Sequence, residues 1–421
     1  MLFKSVKLDR KEEAIIREIR EMYKALKIHL STPARWTGIL RRDTFARAIR
    51  GSNSIEGYVV SVEDAVAAIE GEQPLTANPI SWDATTGYRN AMTYVLQLAK
   101  DPNFKMSEGF LRSLHYMIIH YDLPKHPGNW RPGDIWVRDE EKGENVYEAP
   151  PREDVPTLIS ELMEYLSGTE DEDHILVKAA MAHLNLVMIH PFSDGNGRVA
   201  RCLQSLVVAM KSGIGDPNFS SIEEYLGSGK NTRAYYDVLA AVGKGSWNPG
   251  NDSRPWIRFN LLAHYRQAAT LLRRTRLIAK VWAYLEERIK KSALPERAIY
   301  ALGDAAMGYH VRPARYRVNA EISDVLASRD LRDMVNAGYL VPQGERRGRI
   351  YLASGTLTEA VAKIRSEEPT QIPDPFASPI SERGTTPRSE ADKKSEERLQ
   401  PEIQQKEIRE IIKGIGDINK K

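Results

Sequence analysis

Residues 190–201 combine side chains that could together move a phosphate-linked group. The segment reads His190-Pro191-Phe192-Ser193-Asp194-Gly195-Asn196-Gly197-Arg198, with Arg201 three positions further on. A histidine can accept a proton near neutral pH, and an aspartate supplies the hard oxygen ligand that Mg²⁺ prefers beside phosphates. Glycine lets a phosphate approach the backbone closely, and arginine presents a planar fork of donors. These residue types predict a site for a triphosphate and its metal.

The flanking sequence predicts two helices that would position this segment. Apolar residues recur at helical spacing over residues 175–188, so His190 is expected at a helix C-terminus. A second apolar face, which predicts a helix starting near Gly195, is formed by Val199, Cys202, Leu203, Leu206 and Val207. The turn at residues 195–197 would then present unpaired backbone N–H groups and the positive end of the helix dipole to an anion. Arg198 and Arg201, one turn apart, could bind further phosphates.

The whole segment resembles the signature of the Fic family, HPFx(D/E)GNGRxxR, and matches it at every fixed position. A four-residue piece such as Asp-Gly-Asn-Gly would by itself more often be a turn. The resemblance implies a mainly α-helical Fic fold, a bundle with an inserted β-hairpin flap. It also implies transfer of AMP from ATP, assisted by Mg²⁺, to Ser, Thr or Tyr hydroxyls of target proteins or of the chain itself. His190 would be the catalytic base and Asp194 the metal ligand, with nucleotide binding by Asp194, Gly195, Asn196, Gly197, Arg198 and Arg201.

A β-hairpin is predicted before the signature, since residues 134–138 and 145–149 resemble strands flanking a polar turn at Gly143. The resemblance implies that this hairpin is the flap, which in Fic proteins aligns a target segment beside the base and covers the nucleotide. The residues that match its first strand are Ile135, Trp136, Val137 and Arg138. An exposed strand edge can bind an extended target segment through main-chain hydrogen bonds. A plain surface hairpin is the alternative interpretation.

Tyr235 and Tyr236 stand where Fic relatives carry a tyrosine pair that lines the nucleotide pocket. The resemblance implies stacking or hydrogen bonding near the adenine, although adjacent tyrosines on a helix equally often lie half in the core. Some relatives place an asparagine seven residues after the second tyrosine, where this chain has Gly243. The identity of the donor, ATP or another nucleotide, therefore stays open.

An upstream hexapeptide, Ser52-Asn53-Ser54-Ile55-Glu56-Gly57, resembles the inhibitory motif of the family, (S/T)xxxE(G/N). The resemblance implies that Ser52, Glu56 and Gly57 form a brake, in which Glu56 pairs with Arg201 and excludes the γ-phosphate that needs the same donors. The same site could also run in reverse, with Glu56 orienting a water that removes AMP from a modified protein. A helix end whose glutamate faces solvent is the alternative.

Composition favours a soluble enzyme of two or three domains. The chain has 421 residues, 42% hydrophobic and 28% charged, with a net charge of +3 that does not indicate nucleic-acid binding. Its single cysteine, Cys202, excludes an internal disulfide and a multi-cysteine zinc site. Because no apolar run reaches about 18 residues and the first residues lack a secretory pattern, we expect no membrane association and a cytoplasmic location.

We divide the chain into four regions. Residues 1–105 form an N-terminal helical region with the brake, with helices expected over residues 10–30, 44–54, 62–69 and 82–98. Residues 106–292 form the Fic catalytic domain, and residues 293–355 a small winged helix-turn-helix domain. Residues 356–421 form a flexible tail with a short helix near residues 402–415.

The winged-helix prediction is based on the pattern R-D-L-x-x-M-V-x-A-G-Y-L from Arg329, followed by a basic turn at residues 346–349. Arg329 and Arg332 would lie on the recognition helix, and a basic wing can contact DNA phosphates. The same fold also docks proteins or forms dimers, so a homodimer is a further expectation. An alternative function is a DNA-binding regulator that senses nucleotide without catalysis. The intact His190 favours the enzyme, because a sensor needs no base.

Overall fold

The computed structural model describes residues 1–31, 35–139, 143–168, 174–211, 217–345, 348–369 and 371–377. These residues are mainly α-helical, with two short hairpins. The helices are α1 (Arg10–Ser31), α2 (Thr37–Ile55), α3 (Val62–Glu70), α4 (Pro79–Leu98), α5 (Glu108–Ile119), α6 (Val155–Ser167), α7 (Ile175–Ile189), α8 (Asn196–Lys211), α9 (Glu223–Leu226), α10 (Lys230–Gly243), α11 (Arg254–Lys290), α12 (Ala298–Ala306), α13 (Pro313–Asn319), α14 (Asp324–Asn336) and α15 (Gly355–Ser366). The strands are β1 (Trp136–Asp139), β2 (Glu144–Glu148), β3 (Leu340–Gln343) and β4 (Ile350–Ala353).

The predicted N-terminal helices are present, but two of them begin several residues earlier than predicted. Ser61 caps α3, its side chain accepting the N–H of Asp64. The helix expected from residue 82 begins at Pro79, because Asn78 caps it and proline suits the first turn. The helix expected from residue 44 begins at Thr37, since its first turns bury Ile39 and Leu40.

One hydrophobic core extends across the predicted boundary at residue 105. Helices α1, α2, α4 and α5 contribute buried side chains to the same core as α7, α8 and α11. Fully buried examples are Ile19, Leu40, Tyr88, Leu114, Leu184, Leu203 and Trp256. The segment predicted to act as a brake and the signature are therefore held by one packed body, and the division at residue 105 stays a prediction.

Strands β1 and β2 form the predicted hairpin, referred to below as the flap. They pair antiparallel, from Trp136 opposite Glu148 to Asp139 opposite Glu144, with an irregularity in register after Val137. The first strand begins at Trp136 rather than at residue 134. Tyr147 is buried, whereas Trp136 is 48% exposed. Within the described ranges, β1 pairs only with β2, so its other edge is unpaired.

A second core is formed by the C-terminal part of α11 together with α12, α13, α14, α15 and the antiparallel pair β3–β4. The elements from α12 to β4 occur in the order helix, helix, helix, hairpin, with Arg329 and Arg332 exposed on α14. The winged-helix interpretation stays a prediction, and Arg346, Arg347 and the helix expected near residues 402–415 lie outside the described residues. The tail prediction is wrong for residues 356–366, which lie in α15: Ser354 caps it, and Leu357 and Val361 are buried in the second core.

Candidate active site

His190 ends α7 in a left-handed backbone conformation, with φ of 51°. Its Nδ1 lies 3.2 Å from the carbonyl oxygen of Val187. A carbonyl only accepts hydrogen bonds, so Nδ1 carries the proton and Nε2 retains the lone pair that a base requires. Burial lowers the pKa of His190, which favours the neutral, proton-accepting imidazole. The prediction that a helix C-terminus presents this histidine is confirmed.

The turn from His190 into α8 is fixed by its own side chains. Asn196 accepts the N–H of Phe192 at 2.9 Å and donates to the carbonyl of Phe192 at 2.8 Å. The side-chain amide of Asn196 therefore braces the turn. His115 donates from Nε2 to the carbonyl of Asp194 at 3.0 Å and stacks on the Phe192 ring, with centroids 3.8 Å apart.

The first turn of α8 faces the carboxylate of Glu56. A Cβ atom placed on Gly197 would lie 2.5 Å from Glu56 Oε1 and 3.0 Å from Arg201 Nη1. Only glycine leaves room for a carboxylate this close to the helix N-terminus, where the dipole favours negative charge. A carboxylate of the chain itself therefore lies against the turn where an anion site was predicted.

Arg201 is almost fully buried and binds the last turn of α2. Its Nη2 lies 2.7 Å from Glu56 Oε1, and its Nε donates to Ser52 Oγ at 2.7 Å. Nη2 also lies 3.1 Å from the Ser52 carbonyl oxygen. Burial by itself would raise the pKa of Glu56, but the charges of Arg201 and Arg198 bring it below its ordinary value, so the carboxylate is ionised. The structure brings the three predicted residues Ser52, Glu56 and Arg201 together.

Arg198 is fully buried and only partly paired. Its Nη1 donates to the Tyr121 hydroxyl at 3.2 Å, and its guanidinium carbon lies 4.9 Å from the centroid of the Tyr58 ring. Nη2 is 3.7 Å from Asp194 Oδ1, too far for a hydrogen bond. Among the described residues, neither Nε nor Nη2 has a hydrogen-bond partner. A buried cation with two spare donors indicates a site for an anionic ligand.

Asp194 lies next to this cation and is partly open to solvent. Its side chain is 32% exposed, and Oδ2 lies 3.9 Å from Lys125 Nζ. The described part of the chain has no group of three or more His, Cys, Asp and Glu side chains that could hold a metal ion. One carboxylate suits Mg²⁺, which commonly takes one or two protein carboxylates and completes its shell with phosphate oxygens and water. The donor set therefore fits a Mg²⁺ that arrives with a nucleotide.

The two predicted nucleotide-binding tyrosines differ in environment. Tyr235 is buried, and its hydroxyl donates to His183 Nε2 at 3.0 Å. Tyr236 is 46% exposed, and its hydroxyl donates to the Ile55 carbonyl at 3.0 Å, next to Glu56. Tyr236 is thus the member of the pair that can reach a ligand, while Tyr235 belongs to the interior. His183, which accepts the hydrogen bond from the Tyr235 hydroxyl, is itself fully buried.

Sequence reasoning missed several residues that contact the site. Arg131, which is buried, donates from Nε to the carbonyl of His190 at 3.0 Å. Tyr58 and Tyr121 flank Arg198, and His115 holds the turn. Of these, only Tyr58 carries a local signal, because it follows directly after Glu56-Gly57. The other contacts come from segments distant in sequence.

Comparison with protein families places the signature in a known domain. Residues 105–208 match the model described as the Fic/DOC family. The protein named "Protein adenylyltransferase Fic" of Nematostella vectensis is 26% identical over 220 residues, which are 52% of this chain and 46% of that protein. "Protein adenylyltransferase fic-1" of Caenorhabditis elegans is 26% identical over 259 residues, 60% of this chain and 45% of that protein. The match spans less than half of the length of these relatives.

Two solved structures resemble the fold. A Fic family protein from Desulfovibrio desulfuricans G20 covers 84% of this chain and 99% of its own, with a TM-score of 0.52 and 21% identity. A Fic domain containing signaling protein from Bacteroides thetaiotaomicron VPI-5482 covers 62% of this chain and 97% of its own, with a TM-score of 0.50 and 17% identity. At these identities, the similarity concerns the fold. In the described residues, no helix has the length and apolar character needed to cross a membrane.

Proposed function

The chain carries a Fic domain, and we propose that it is a protein adenylyltransferase, which moves AMP from ATP to Ser, Thr or Tyr hydroxyls of target proteins and of itself. The observation that supports this most directly is the arrangement around Arg198. A buried guanidinium with two spare donors lies 3.7 Å from the Asp194 carboxylate, four residues before it. His190, whose Nε2 is free to accept a proton, begins the same loop. Anion binding, metal binding and proton acceptance are thus combined within nine residues, 190–198.

His190 would act as the general base. Its Nε2 accepts the proton of the target hydroxyl, and the hydroxyl oxygen forms a bond to the α-phosphorus of ATP. The bond from that phosphorus to the bridging oxygen breaks, and pyrophosphate leaves. The lowered pKa of His190 keeps the imidazole neutral at pH 7, so the transfer rate should fall only as the pH drops below the ordinary histidine value of 6.5.

The start of α8 would bind the phosphates. The backbone N–H groups of Gly195, Asn196 and Gly197 and the spare donors of Arg198 supply positive potential where charge develops. Asp194 would hold Mg²⁺, which neutralises phosphate charge when it is bound. Tyr236, the exposed member of the tyrosine pair, is the side chain available to contact the nucleotide base.

Glu56 would restrain the reaction. It occupies the guanidinium of Arg201 at 2.7 Å and lies against Gly197, where a γ-phosphate would seek the same donors. Transfer then requires that Glu56 leave Arg201. In the opposite reaction, the ionised Glu56 would orient a water that removes AMP from a modified target.

The unpaired edge of β1 would align the target. A two-stranded hairpin with one free edge can accept an extended segment as a third strand, which places a hydroxyl without requiring a particular sequence. The partner is therefore a protein with an extended segment that carries Ser, Thr or Tyr.

DNA binding by residues 293–355 is a second candidate role, supported by the exposed Arg329 and Arg332 on α14. If both arginines contact phosphates, replacing both by alanine should flatten the dependence of log affinity on log salt concentration by about 0.9 per lost contact. Fluorescence anisotropy with a labelled duplex measures this slope. No binding of the parent protein at low salt would leave protein docking or dimer formation as the role of this region.

Incubation with ATP labelled at the α-phosphate and Mg²⁺ tests the main proposal. The unmodified protein should label itself or added proteins weakly, and Glu56→Gly should increase labelling because it frees Arg201. In that background, His190→Ala should lower the rate by about 10²–10⁴-fold, the usual contribution of a general base, with nucleotide affinity retained. Labelling undiminished by His190→Ala would remove this residue from the mechanism. Labelling no higher in Glu56→Gly, with intact circular dichroism, would remove the brake.

A further inference from the structure

Arg131 connects the catalytic loop to both ends of the flap. Its Nε donates to the His190 carbonyl at 3.0 Å, and its backbone N–H donates to the Pro191 carbonyl at 2.9 Å. Nη1 donates to the Gly133 carbonyl at 2.7 Å, and Nη2 to the Pro150 carbonyl at 2.5 Å. Gly133 precedes β1, and Pro150 follows β2. One side chain therefore holds the base's own backbone and the two points where the flap leaves the body.

The acceptors of Arg131 explain why an arginine is needed. Its three side-chain partners are carbonyl oxygens in three directions, which a planar guanidinium with separate Nε, Nη1 and Nη2 donors can reach at once. A lysine ammonium is a compact charge on a flexible stem and cannot span all three positions. The carboxylate of Asp134 is 3.7 Å from Nη1, too far for a hydrogen bond, and exposed. The side-chain hydrogen bonds of Arg131 are therefore made to main-chain carbonyl oxygens, and not to a carboxylate.

We propose that Arg131 is a positioning residue for the transfer reaction, one that sets the distance and angle between the target-aligning edge of β1 and the Nε2 atom of His190. This inference rests on the proposed function. Proton transfer needs the acceptor within about 2.6–3.2 Å of the hydroxyl oxygen, and a misplacement of about 1 Å can cost about 10²-fold in rate.

The flap needs such an attachment because it is small. A two-stranded hairpin is marginally stable by itself, and this one has an irregular register after Val137. The Tyr147 hydroxyl donates to the Met188 carbonyl at 2.8 Å, and the main chain of Glu148 hydrogen-bonds to Gly245 and Trp247, so the end of β2 is fixed to the body. None of these bonds involves His190. Among the described residues, only Arg131 hydrogen-bonds to both ends of the flap and to the base.

The charge of Arg131 has a second effect on His190. After burial, it is the positive charge of Arg131 that lowers the pKa of His190, against the opposite influence of Glu56, Asp194 and the hydrogen bond to Val187. Replacing Arg131 by a neutral residue should therefore raise the pKa of His190. Because only the neutral imidazole accepts a proton, the acidic limb of the pH–rate profile should then move to higher pH.

Two variants distinguish the effect of the guanidinium donors from the effect of the positive charge. Arg131→Lys keeps the charge and loses the guanidinium donors, whereas Arg131→Gln loses both the charge and these donors. Both are made in the Glu56→Gly protein, so that transfer is measurable. Arg112→Lys is the matched control: Arg112 also binds main chain nearby, donating to the Gly128 carbonyl at 2.7 Å, but it is exposed and hydrogen-bonds to neither the flap nor His190.

The first measurement is amide hydrogen exchange, which needs no activity. Arg131→Lys should accelerate exchange over residues 143–149, including the Ala149 N–H that donates to the Ile135 carbonyl at 3.2 Å, and should leave α7 and α8 unchanged. Arg112→Lys should match the parent. Unchanged flap exchange in Arg131→Lys overturns the proposal. Faster exchange throughout α7 and α8 overturns it as well, because Arg131 would then stabilise the fold in general.

The second measurement is transfer kinetics across pH. Arg131→Lys should raise the KM for a target protein and lower kcat by about 10–100-fold, with the Kd for ATP within about twofold of the parent. Its acidic limb should not move, whereas that of Arg131→Gln should move to higher pH. Two results contradict the assignment of Arg131 as a positioning residue. One is a loss confined to ATP affinity, and the other is an acidic limb of the pH–rate profile at the same pH in both variants. If the Glu56→Gly parent itself transfers no AMP, the proposed function fails, and hydrogen exchange still decides whether Arg131 holds the flap.

Discussion

The two signature arginines, three positions apart on α8, are in different states. Arg201 uses Nε for Ser52, in the last turn of α2, and Nη2 for Glu56, the residue that follows α2. Arg198 keeps Nε and Nη2 without a partner among the described residues. An unsatisfied buried guanidinium is costly unless a ligand supplies acceptors. Arg198, which has no carboxylate within hydrogen-bond distance, is therefore open to an incoming anion.

Replacing Arg198 by alanine should weaken nucleotide binding. In the Glu56→Gly background, the loss should correspond to about 1.5–3 kcal/mol, the contribution of a hydrogen bond to a charged group, or roughly 10–150-fold in Kd. Isothermal titration calorimetry with Mg·ATP measures it, and Arg112→Ala, at an exposed arginine, serves as the control. Parent-like affinity in Arg198→Ala would contradict phosphate binding by this side chain.

The sequence indicates site residues well where they are contiguous. Residues 190–201 carry their chemistry within twelve positions, and helical periodicity places them at a helix end. The sequence could not show that the side chains of Asn196 and Tyr235 bind other parts of the protein instead of facing a ligand. The positions of these residues in the sequence are the same in either case. Arg131 and Tyr121 reach the site through contacts 59 and 77 residues apart in the chain, for which no local pattern exists.

At the scale of elements, helix α2 positions Ser52 and Glu56 through a close crossing with α9. A Cβ atom on Gly51 would overlap the backbone carbonyl of Glu223, and one on Gly227 would overlap the backbone of Gly51. The two backbones therefore touch without a side chain between them. Ser52 follows Gly51 directly and Glu56 ends the helix, so the depth of this crossing determines where both meet Arg201.

Gly51→Ala should destabilise the protein, because its methyl group meets a backbone carbonyl that cannot move independently of α9. Overpacking of this kind typically costs about 1–3 kcal/mol, against about 1 kcal/mol gained in helix propensity. Gly38→Ala, in the same helix with no atom within 4 Å of the added carbon, should be neutral or slightly stabilising. Urea unfolding monitored by circular dichroism compares the two variants. Equal free energies of unfolding would show that the crossing is looser than described.

The sequence predicted where most of the helices named above lie, but it did not predict which helices pack against each other. Apolar periodicity placed α1, α7 and α8 within a few residues, because each presents apolar residues at helical spacing to the core. It missed the first turns of α2 and all of α15, whose apolar residues face partners from other parts of the chain. A glycine in a helix, such as Gly51, indicates that another part of the chain approaches the helix backbone closely. The sequence does not show which part of the chain that is.

At the scale of the whole molecule, long-range contacts join residues 309–315 to helix α2 and to the segment that follows α3. Arg315 binds Glu72 at 2.5 Å, and Arg312 binds the same carboxylate at 3.1 Å. Tyr309 and Asp43 are hydrogen-bonded as well. Because the partners are more than 230 residues apart in sequence, they follow from the tertiary fold alone. These contacts favour cooperative unfolding of the two cores.

A buried polar chain links α1, α7, α8, α10 and α11 inside the first core. His183 donates from Nδ1 to Gln204 Oε1 at 2.6 Å and accepts from the Tyr235 hydroxyl. The other end of Gln204 lies 3.4 Å from His264 Nε2, and His264 Nδ1 lies 3.1 Å from the Tyr23 hydroxyl. Burial lowers the pKa of His183 and of His264 to about 3, so both imidazoles are neutral in the folded protein.

These histidines predict acid sensitivity of the whole fold. In the unfolded chain they bind protons below the ordinary value of 6.5, whereas in the folded chain they resist protonation until about pH 3. Their contribution is therefore complete above pH 6.5 and is lost as the pH falls from there toward 3, by up to about 1.4 kcal/mol per pH unit for each histidine. His183→Gln should be less stable at pH 7 but should flatten the pH dependence by about one proton. Urea unfolding from pH 7.5 to 4.5 measures this slope, with His120→Gln, at an exposed histidine, as the control. A slope in His183→Gln as steep as that of the unmodified protein would show that this buried imidazole does not govern acid stability.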